Sequence, residues 1–307
     1  MTWEPLIKPN FRQYYISALR KNLLRGFFSI WVLSLVSLQV VGDSGTGPMQ
    51  LNNSCPPGFE KVDGSCYLRN LYQLYPSLQG AGVGGLKTGL PPFRDGFTPE
   101  QIDLGRYLFF DPLLSADSSL SCASCHHPEL GFSDGLDRSI GITGEKIKRS
   151  SPSLWNVGFL DLLFWDARAT TLEEQLPGPL YAADEMGNTE EQLVLDLNNN
   201  ETYRRLFDEA FGTSGITAPL IYHALAAFES TLISLNSRYD RYAHGYHAAL
   251  SQTEIEGLNV FRSFVARCAE CHTPPLFTNQ EIAIIGTPEP EGLPFDEGEG
   301  GLTGEPT

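Results

Sequence analysis

Apolar residues recur at helical spacing in four stretches of the chain, whereas no stretch alternates apolar and polar positions long enough to indicate a sheet. The stretch "FTPEQIDLGRYLFFD" predicts a helix that Thr98 caps and Pro99 begins, with Gln101 completing a capping box. The apolar residues of this helix that we expect in the core are Ile102, Leu104, Leu108 and Phe109.

Another helix is predicted in "SQTEIEGLNVFRSFVARCAECH", where Ser251 and Glu254 form a capping box. Its apolar positions are Ile255, Leu258, Phe261 and Val265. Two further helical stretches lie between these, "TEEQLVLDLNNNETYRRLFDEAF" and "ITAPLIYHALAAFESTLISL". Together the four stretches predict a mainly α fold.

The N-terminal region has a different pattern, in which basic residues precede an apolar run at positions 26–42. This order is typical of an export signal, and the run is slightly shorter than the about 20 residues of a membrane-spanning helix. We predict that residues 1–45 are a signal peptide or a membrane anchor. The rest of the chain would then be periplasmic, secreted, or anchored to the membrane and facing the periplasm.

Composition adds two constraints. The 307 residues are 41% hydrophobic, enough to bury a sizeable core in one large or two small domains. The formal net charge of −16 argues against nucleic acid as the partner. The acidic surface either attracts a basic protein or only aids solubility, and no oligomeric state is indicated.

Two of the six cysteines, Cys55 and Cys66, lie in a segment rich in proline and glycine. In an oxidising compartment these two thiols would pair, so we predict a disulfide. We interpret residues 46–96 as a cysteine-containing loop and linker, with "GAGVGG" at 80–85 as its flexible part.

The other four cysteines form two Cys-x-x-Cys-His motifs. They are Cys122, Cys125 and His126, and then Cys268, Cys271 and His272. This spacing is typical of c-type haem attachment, in which two thiols add to the porphyrin vinyl groups and the histidine binds the iron. A zinc site with four thiolates is the alternative, but it leaves the two histidines unexplained. We therefore predict two covalently bound haem c groups, with His126 and His272 as iron ligands and His127 as a surface residue.

The order of these features resembles the bacterial di-haem cytochrome c peroxidases and their MauG-like relatives. The resemblance covers residues 97–277 and includes "RSSPSLWNVGFLDLLFWDARATTLEEQLPGPLYAADEM" between the motifs. It implies two cytochrome c-like domains. Residues 97–235 would carry the peroxidatic haem on His126, and residues 236–307 the electron-transfer haem on His272.

The resemblance also implies roles for three residues between the motifs. Glu185 matches the catalytic glutamate, which would move the peroxide proton as a general acid and base. Gln175 matches the active-site glutamine, and Trp165 matches a tryptophan between the haems that could relay electrons; we also expect Trp165 in the core. The implied substrate is hydrogen peroxide, and the implied electron donor is a small protein such as a cytochrome c.

Two features depart from the family pattern. The family has a calcium ion between its domains, and Ser150 stands where the family has a calcium-binding asparagine; a hydroxyl is the poorer ligand, which argues against calcium. After His272 the chain has no Met, His, Tyr, Lys or Cys to bind the second haem on its other side. We expect that the second domain is truncated at its C-terminus; the alternative is an upstream ligand such as His223, His244 or His247, which we otherwise expect on helix surfaces.

The loop at 133–153 contains no histidine or methionine, and its lysines, Lys146 and Lys148, are protonated near neutral pH. We therefore expect the iron on His126 to be open on one side. Three functions remain: a peroxidase, a MauG-like oxidase that modifies a protein substrate, and a non-enzymatic di-haem electron carrier.

Overall fold

The computed structural model describes residues 49–69, 90–283, 286 and 296–304. The chain divides after Met49 into two units, and the description below concerns the second, residues 50–307. The apolar run at 26–42 and the glycine-rich segment at 80–85 lie outside the described residues. Within the described ranges, no helix has the length and apolar character needed to cross a membrane.

The described chain is mainly helical, as the sequence predicts. Its helices are α1 (Pro99–Phe110), α2 (Cys122–Cys125), α3 (Leu172–Gln175), α4 (Pro177–Tyr181), α5 (Glu190–Asn199), α6 (Glu201–Phe211), α7 (Ala218–Ser230), α8 (Arg238–Ala243), α9 (Gln252–Phe261), α10 (Cys268–Cys271) and α11 (Gly300–Thr303). Several are one or two turns long, so loops and caps define much of the architecture. The predicted division into domains at residues 96 and 235 stays a prediction.

Helix α1 begins where the sequence predicts. The backbone N–H of Gln101 donates to Thr98 Oγ1 at 3.2 Å, and the Gln101 side chain accepts from the Thr98 N–H at 3.1 Å. The four predicted apolar positions of α1 are all buried. This capping box and apolar face therefore confirm the predicted helix.

The core forms where α1 crosses α7, and Gly105 permits the close approach. A Cβ atom at Gly105 would lie 1.8 Å from the carbonyl oxygen of Ala224, so only glycine fits. Around this crossing Leu104, Leu108 and Leu225 are completely buried. The first motif follows α1 in the chain after a short connection. The crossing of α1 and α7 therefore supports the site.

Helices α5 and α6 meet at Asn200. The Asn200 side chain accepts hydrogen bonds from the backbone N–H groups of Thr202 and Tyr203, which caps α6 and divides the predicted helical stretch. The hydroxyl of Tyr203 donates to Asp111 at 2.6 Å, just after α1 ends. The pair α5 and α6 is thereby tied to the central crossing.

A short β-hairpin precedes the helices and corrects the expectation that the chain has no sheet. Strands β1 (Phe59–Val62) and β2 (Ser65–Leu68) pair antiparallel, joined by Asp63 and Gly64 at positive φ. Strands of four residues are too short to show alternation, and the Asp-Gly pair was the available signal for this turn. Cys55 and Cys66 form the predicted disulfide, which is confirmed, and Cys66 packs against Phe97, Ile102 and Ala227.

Helix α9 differs from its prediction at its end. The capping box at Ser251 is confirmed, with Glu254 N–H donating to Ser251 Oγ at 3.3 Å. The helix ends at Phe261, however, and does not run into the second motif. Helical stability in proteins comes mostly from packing of an apolar face, and Phe264 and Val265 are 88% and 93% exposed. Nothing in the described chain therefore favours a longer helix.

Candidate functional site

The first Cys-x-x-Cys-His motif forms a single helical turn. Ser121 and Ser124 cap it, and the Ser121 N–H donates to Ser124 Oγ at 3.0 Å. The N–H of His126 donates to the carbonyl of Cys122 at 2.9 Å, which places the histidine directly after the turn. Both thiols are unpaired and partly buried.

His126 is held in one orientation. Its Nδ1 lies 2.8 Å from the carbonyl oxygen of Phe132. Because a carbonyl only accepts, Nδ1 carries the proton, and Nε2 keeps a lone pair for a metal. Burial lowers the pKa of His126, which favours the neutral ring that binds iron. Phe132 is fixed in turn by edge-on contacts with Phe109 and Trp155.

The second motif repeats this geometry. The backbone N–H of His272 donates to the carbonyl of Cys268 at 2.9 Å, and His272 Nδ1 lies 3.2 Å from the carbonyl oxygen of Phe277. Phe277 packs against Tyr239 and Phe261. Both motifs therefore end in a histidine whose Nδ1 is bound to a phenylalanine carbonyl. The thiols of the second motif are exposed, unlike those of the first.

The donor sets fit haem c at both motifs. Each supplies two thiols one helical turn apart and a histidine with Nε2 available, and each histidine has the carbonyl partner that fixes its tautomer. The zinc alternative needs four thiolates in one shell. In the described ranges, no three or more His, Cys, Asp or Glu side chains are grouped so as to hold a metal ion.

Glu185 lies on the turn after α4, against the loop that follows the first motif. The N–H of Ile142 donates to the carbonyl of Glu185 at 2.9 Å. A Cβ at Gly141 would lie 1.7 Å from the carbonyl oxygen of Asp184, so the loop and the turn are in backbone contact. The turn thus cannot move independently of the motif loop.

The carboxyl of Glu185 faces the first motif. Burial raises the pKa of Glu185, the charge of Asp184 adds to the rise, and Arg168 opposes it. Burial also raises the pKa of the Cys125 thiol, and the carboxylates of Asp134 and Glu185 add to it. The charge of Glu185 thus acts on the Cys125 thiol, so these two predicted site residues lie within electrostatic range of each other.

Gln175 is the last residue of α3, which Thr171 caps through the N–H of Glu174 at 3.2 Å. Its side chain is partly buried, one short helix before the turn of Glu185. Gln175 and Glu185 therefore flank α4, with the glutamine at its start and the glutamate after its end.

Trp165 is 60% exposed, so the expectation that it is a core residue is wrong. Its Nε1–H donates to the carbonyl of Ser150 at 3.1 Å. It lies on a tight hairpin in which the Leu163 N–H donates to Ala169 at 2.9 Å. The hairpin turns through Phe164 and presents the indole outward, which the apolar pattern alone does not reveal.

The histidines considered as alternative ligands differ in their surroundings. His244 is buried, with Nδ1 2.7 Å from the carbonyl of Asp240, so the expectation of a helix-surface position is wrong for it. His223 is partly buried beside the rings of Phe97 and Phe211. His247 is exposed.

The sequence reasoning missed one buried acid near the first motif. Glu229, on α7, is 5% exposed, and burial raises its pKa to about 8. After burial, the charge of Glu229 is the largest influence that raises the pKa of the Cys122 thiol, so the two groups are neighbours. A single acid in the apolar run "ALAAFESTLISL" was the signal that could have found it.

The fold and the two motifs define a c-type haem protein with two attachment turns. The family model described as di-haem cytochrome c peroxidase matches residues 99–248. The chain belongs to this family.

Two curated relatives are similar over the same region. The methylamine utilization protein MauG of Methylophilus methylotrophus is 38% identical over 200 residues, 64% of this chain and 59% of that protein. The cytochrome c551 peroxidase of Nitrosomonas europaea is 34% identical over 213 residues, 68% of this chain and 63% of that protein. The chain thus spans less than two thirds of either relative.

A solved structure supports the same assignment. The crystal structure of a MauG-like protein associated with microbial copper homeostasis is similar with a TM-score of 0.61 and 32% identity. The match covers 73% of this chain and 71% of that one.

Proposed function

We propose that the protein is an exported di-haem c-type peroxidase that reduces hydrogen peroxide to water with electrons from a small cytochrome or similar donor. The observation that carries the proposal is Glu185, a partly buried acid on the turn that is bonded to the loop after the first motif and whose charge acts on Cys125. Export is supported by the disulfide between Cys55 and Cys66, since such bonds persist in oxidising compartments.

The four motif cysteines hold two haems covalently, and His126 and His272 bind the irons. When bound, the first haem supplies the iron to which peroxide binds and the electrons that break its oxygen–oxygen bond. The hydrogen bond from His126 Nδ1 to Phe132 keeps the ring oriented and strengthens it as an iron ligand.

Glu185 moves the proton. Each hydrogen peroxide takes up two protons and two electrons to become two waters, and one proton must pass from the near oxygen to the departing one. Burial raises the pKa of Glu185, which brings it nearer to neutral pH and allows it to accept and return a proton efficiently. Gln175, at the other end of α4, orients the peroxide through its amide.

Electrons enter at the second motif. Its turn ends in His272, which would hold the electron-transfer haem that the family resemblance implies. Trp165 would relay electrons between the two haems, and its hydrogen bond to Ser150 fixes the indole for that role.

The first iron is proposed to be open on the side opposite His126. Lys146, one of two lysines in the loop at 133–153, forms an ion pair with Asp137 at 2.9 Å. This pair engages the Lys146 amine, so that it is not free to bind iron. A haem left open there would supply a position at which peroxide could react without prior reduction of the second haem.

A second candidate is a MauG-like oxidase that modifies a protein substrate. It is favoured by the 38% identity with the methylamine utilization protein MauG of Methylophilus methylotrophus. The relatives carry both names, MauG and peroxidase. Turnover with a reduced cytochrome separates the two: rapid peroxide-dependent oxidation of the cytochrome supports the peroxidase.

Electron paramagnetic resonance of the fully oxidised protein tests the open iron. We expect a high-spin ferric signal from the haem on His126 and binding of cyanide before any reduction. A purely low-spin spectrum without cyanide binding would instead favour the electron carrier, whose irons are both closed by protein ligands.

A further inference from the structure

Arg149 joins two carboxylates from distant parts of the chain. Its Nη1 lies 2.6 Å from Asp166 Oδ2. Its Nε and Nη2 lie 2.6 and 2.7 Å from the two carboxylate oxygens of Asp296, a two-point contact with a residue 147 positions later. Planar paired contacts of this kind are the strongest ion pairs that arginine forms.

The network continues into the core. Asp166 is 6% exposed and also accepts from Arg168 Nη1 at 2.6 Å. Burial alone would raise the pKa of Asp166, but the bonds from Arg149 and Arg168 outweigh it and the pKa is lowered. Arg149 likewise lowers the pKa of Asp296 to about 2. The two carboxylates, Asp166 and Asp296, are therefore charged throughout the physiological range.

Trp165 adjoins this network on both sides of its contact with Ser150. Arg149 immediately precedes Ser150, whose carbonyl binds the indole N–H, and Asp166 immediately follows Trp165. The segment at 149–150 and the segment at 165–166 are thus joined twice, once through the indole and once through the ion pair. Arg149 is also paired with Asp296.

The same place is where the family resemblance implies calcium, and the residues do not fit that ion. Ser150 offers a hydroxyl in place of an amide, and its carbonyl already accepts from Trp165. The nearby carboxylates of Asp166 and Asp296 are engaged by Arg149. A divalent cation here would face the guanidinium charge directly.

We propose that Arg149 and Asp296 form a clamp that positions Trp165. The guanidinium of Arg149 thereby connects segments that a calcium ion connects in the family. Arg149 and Asp296 are positioning residues, and Trp165 is the residue they position. The consequence for electron transfer rests on the relay role proposed above for Trp165, whereas the clamp itself does not.

Hydrogen exchange of the haem-loaded full chain tests the clamp. In Asp296→Asn we expect faster exchange in the peptides covering 163–169 and 296–304, with both haems still attached by mass. The matched control is Asp137→Asn, which breaks the exposed pair with Lys146 and should leave both peptides unchanged. If Asp296→Asn does not fold, Arg149→Lys keeps the charge, loses the paired contact and should show the same loosening to a smaller degree.

Chelation tests the calcium part. We expect the exchange and the melting temperature of the wild-type protein to be the same with and without EDTA. Loosening of 163–169 by EDTA, reversed by added calcium, would overturn the proposal, as would unchanged exchange in both clamp variants.

A double-mutant cycle on the rate of electron transfer from the second haem to the first tests positioning. We expect Asp296→Asn to slow it about tenfold in the wild-type background and to add nothing in the Trp165→Phe background, since coupled sites are non-additive. Additive effects would overturn the positioning role. If Trp165→Phe alone leaves the rate unchanged while Asp296→Asn still loosens 163–169, the proposed relay fails and the clamp stands.

Discussion

Two acidic side chains near the first motif, Glu185 and Glu229, are buried to different degrees. Glu185 is partly buried on a turn that the motif loop holds, and its raised pKa suits proton exchange with a ligand. Glu229 is buried in α7 beside Cys122, where burial raises its pKa to about 8. The first is the acid for which we propose a catalytic role, and for the second we predict an effect on the stability of the fold.

For Glu185, replacement by glutamine keeps the shape and removes the base. We expect Glu185→Gln to slow peroxide reduction by roughly 10² to 10⁴, the usual range for a general acid and base, with haem content unchanged. Glu191→Gln, an exposed glutamate on α5 that is not among the groups that shift the pKa of Glu185, is the matched control and should stay within a few-fold of the wild type by the same stopped-flow assay. Wild-type rates in Glu185→Gln would remove Glu185 from the mechanism.

Glu229 makes stability depend on pH. An unfolded glutamate has a pKa of about 4.3 and the folded one about 8, so between these values the folded chain binds more protons than the unfolded chain. The free energy of unfolding should therefore fall as pH rises through this window, by up to about 1.4 kcal/mol per pH unit. Urea unfolding at a series of pH values measures it, and Glu229→Gln should flatten the slope. An unchanged slope in that variant would assign the dependence to other groups.

At the scale of elements, the close crossing of α1 and α7 depends on the absence of a Cβ atom at Gly105. Gly105→Ala would place a Cβ 1.8 Å from the carbonyl oxygen of Ala224. This oxygen belongs to the backbone of α7, so the clash can be relieved only by shifting the helix. We expect a loss of roughly 1–3 kcal/mol of unfolding free energy, the usual cost of overpacking. Gly257→Ala, inside α9 with open space around it, is the control and should stabilise by about 1 kcal/mol. Equal effects in thermal unfolding would contradict the close crossing.

The sequence predicted those elements whose signals are local. Such signals depend on residues close in the chain or on simple chemistry. They are the helix caps of Thr98 and Ser251, the Cys-x-x-Cys-His pattern of each motif, and the disulfide-forming cysteine pair. The outward-facing Trp165 and the contact of Arg149 with Asp296 could not be predicted. Both depend on how distant segments meet, which periodicity and spacing do not encode.

At the scale of the whole molecule, the two motifs are built alike but lie in different surroundings. The first is partly buried against the crossing helices, and the second is exposed beside Phe264 and Val265. The segment after the second motif contacts the region between the motifs, because Gln280 Nε2 donates to Phe159 at 3.1 Å and Gln280 Oε1 accepts from Asp161 at 2.8 Å. The segment after the second motif is therefore joined to the region between the motifs by side-chain hydrogen bonds.

The net charge of −16 bears on how a donor reaches the second motif. A basic cytochrome is drawn toward an acidic protein over a distance set by salt, about 30 Å at 0.01 M and about 8 Å at 0.15 M. We therefore expect kcat/KM for a basic cytochrome to fall several-fold between these salt concentrations. The rate of the peroxide step, measured with an uncharged small-molecule reductant, is the control and should stay constant because hydrogen peroxide carries no charge. If the basic cytochrome reacts equally fast at both salt concentrations, the acidic surface serves solubility and does not steer the donor.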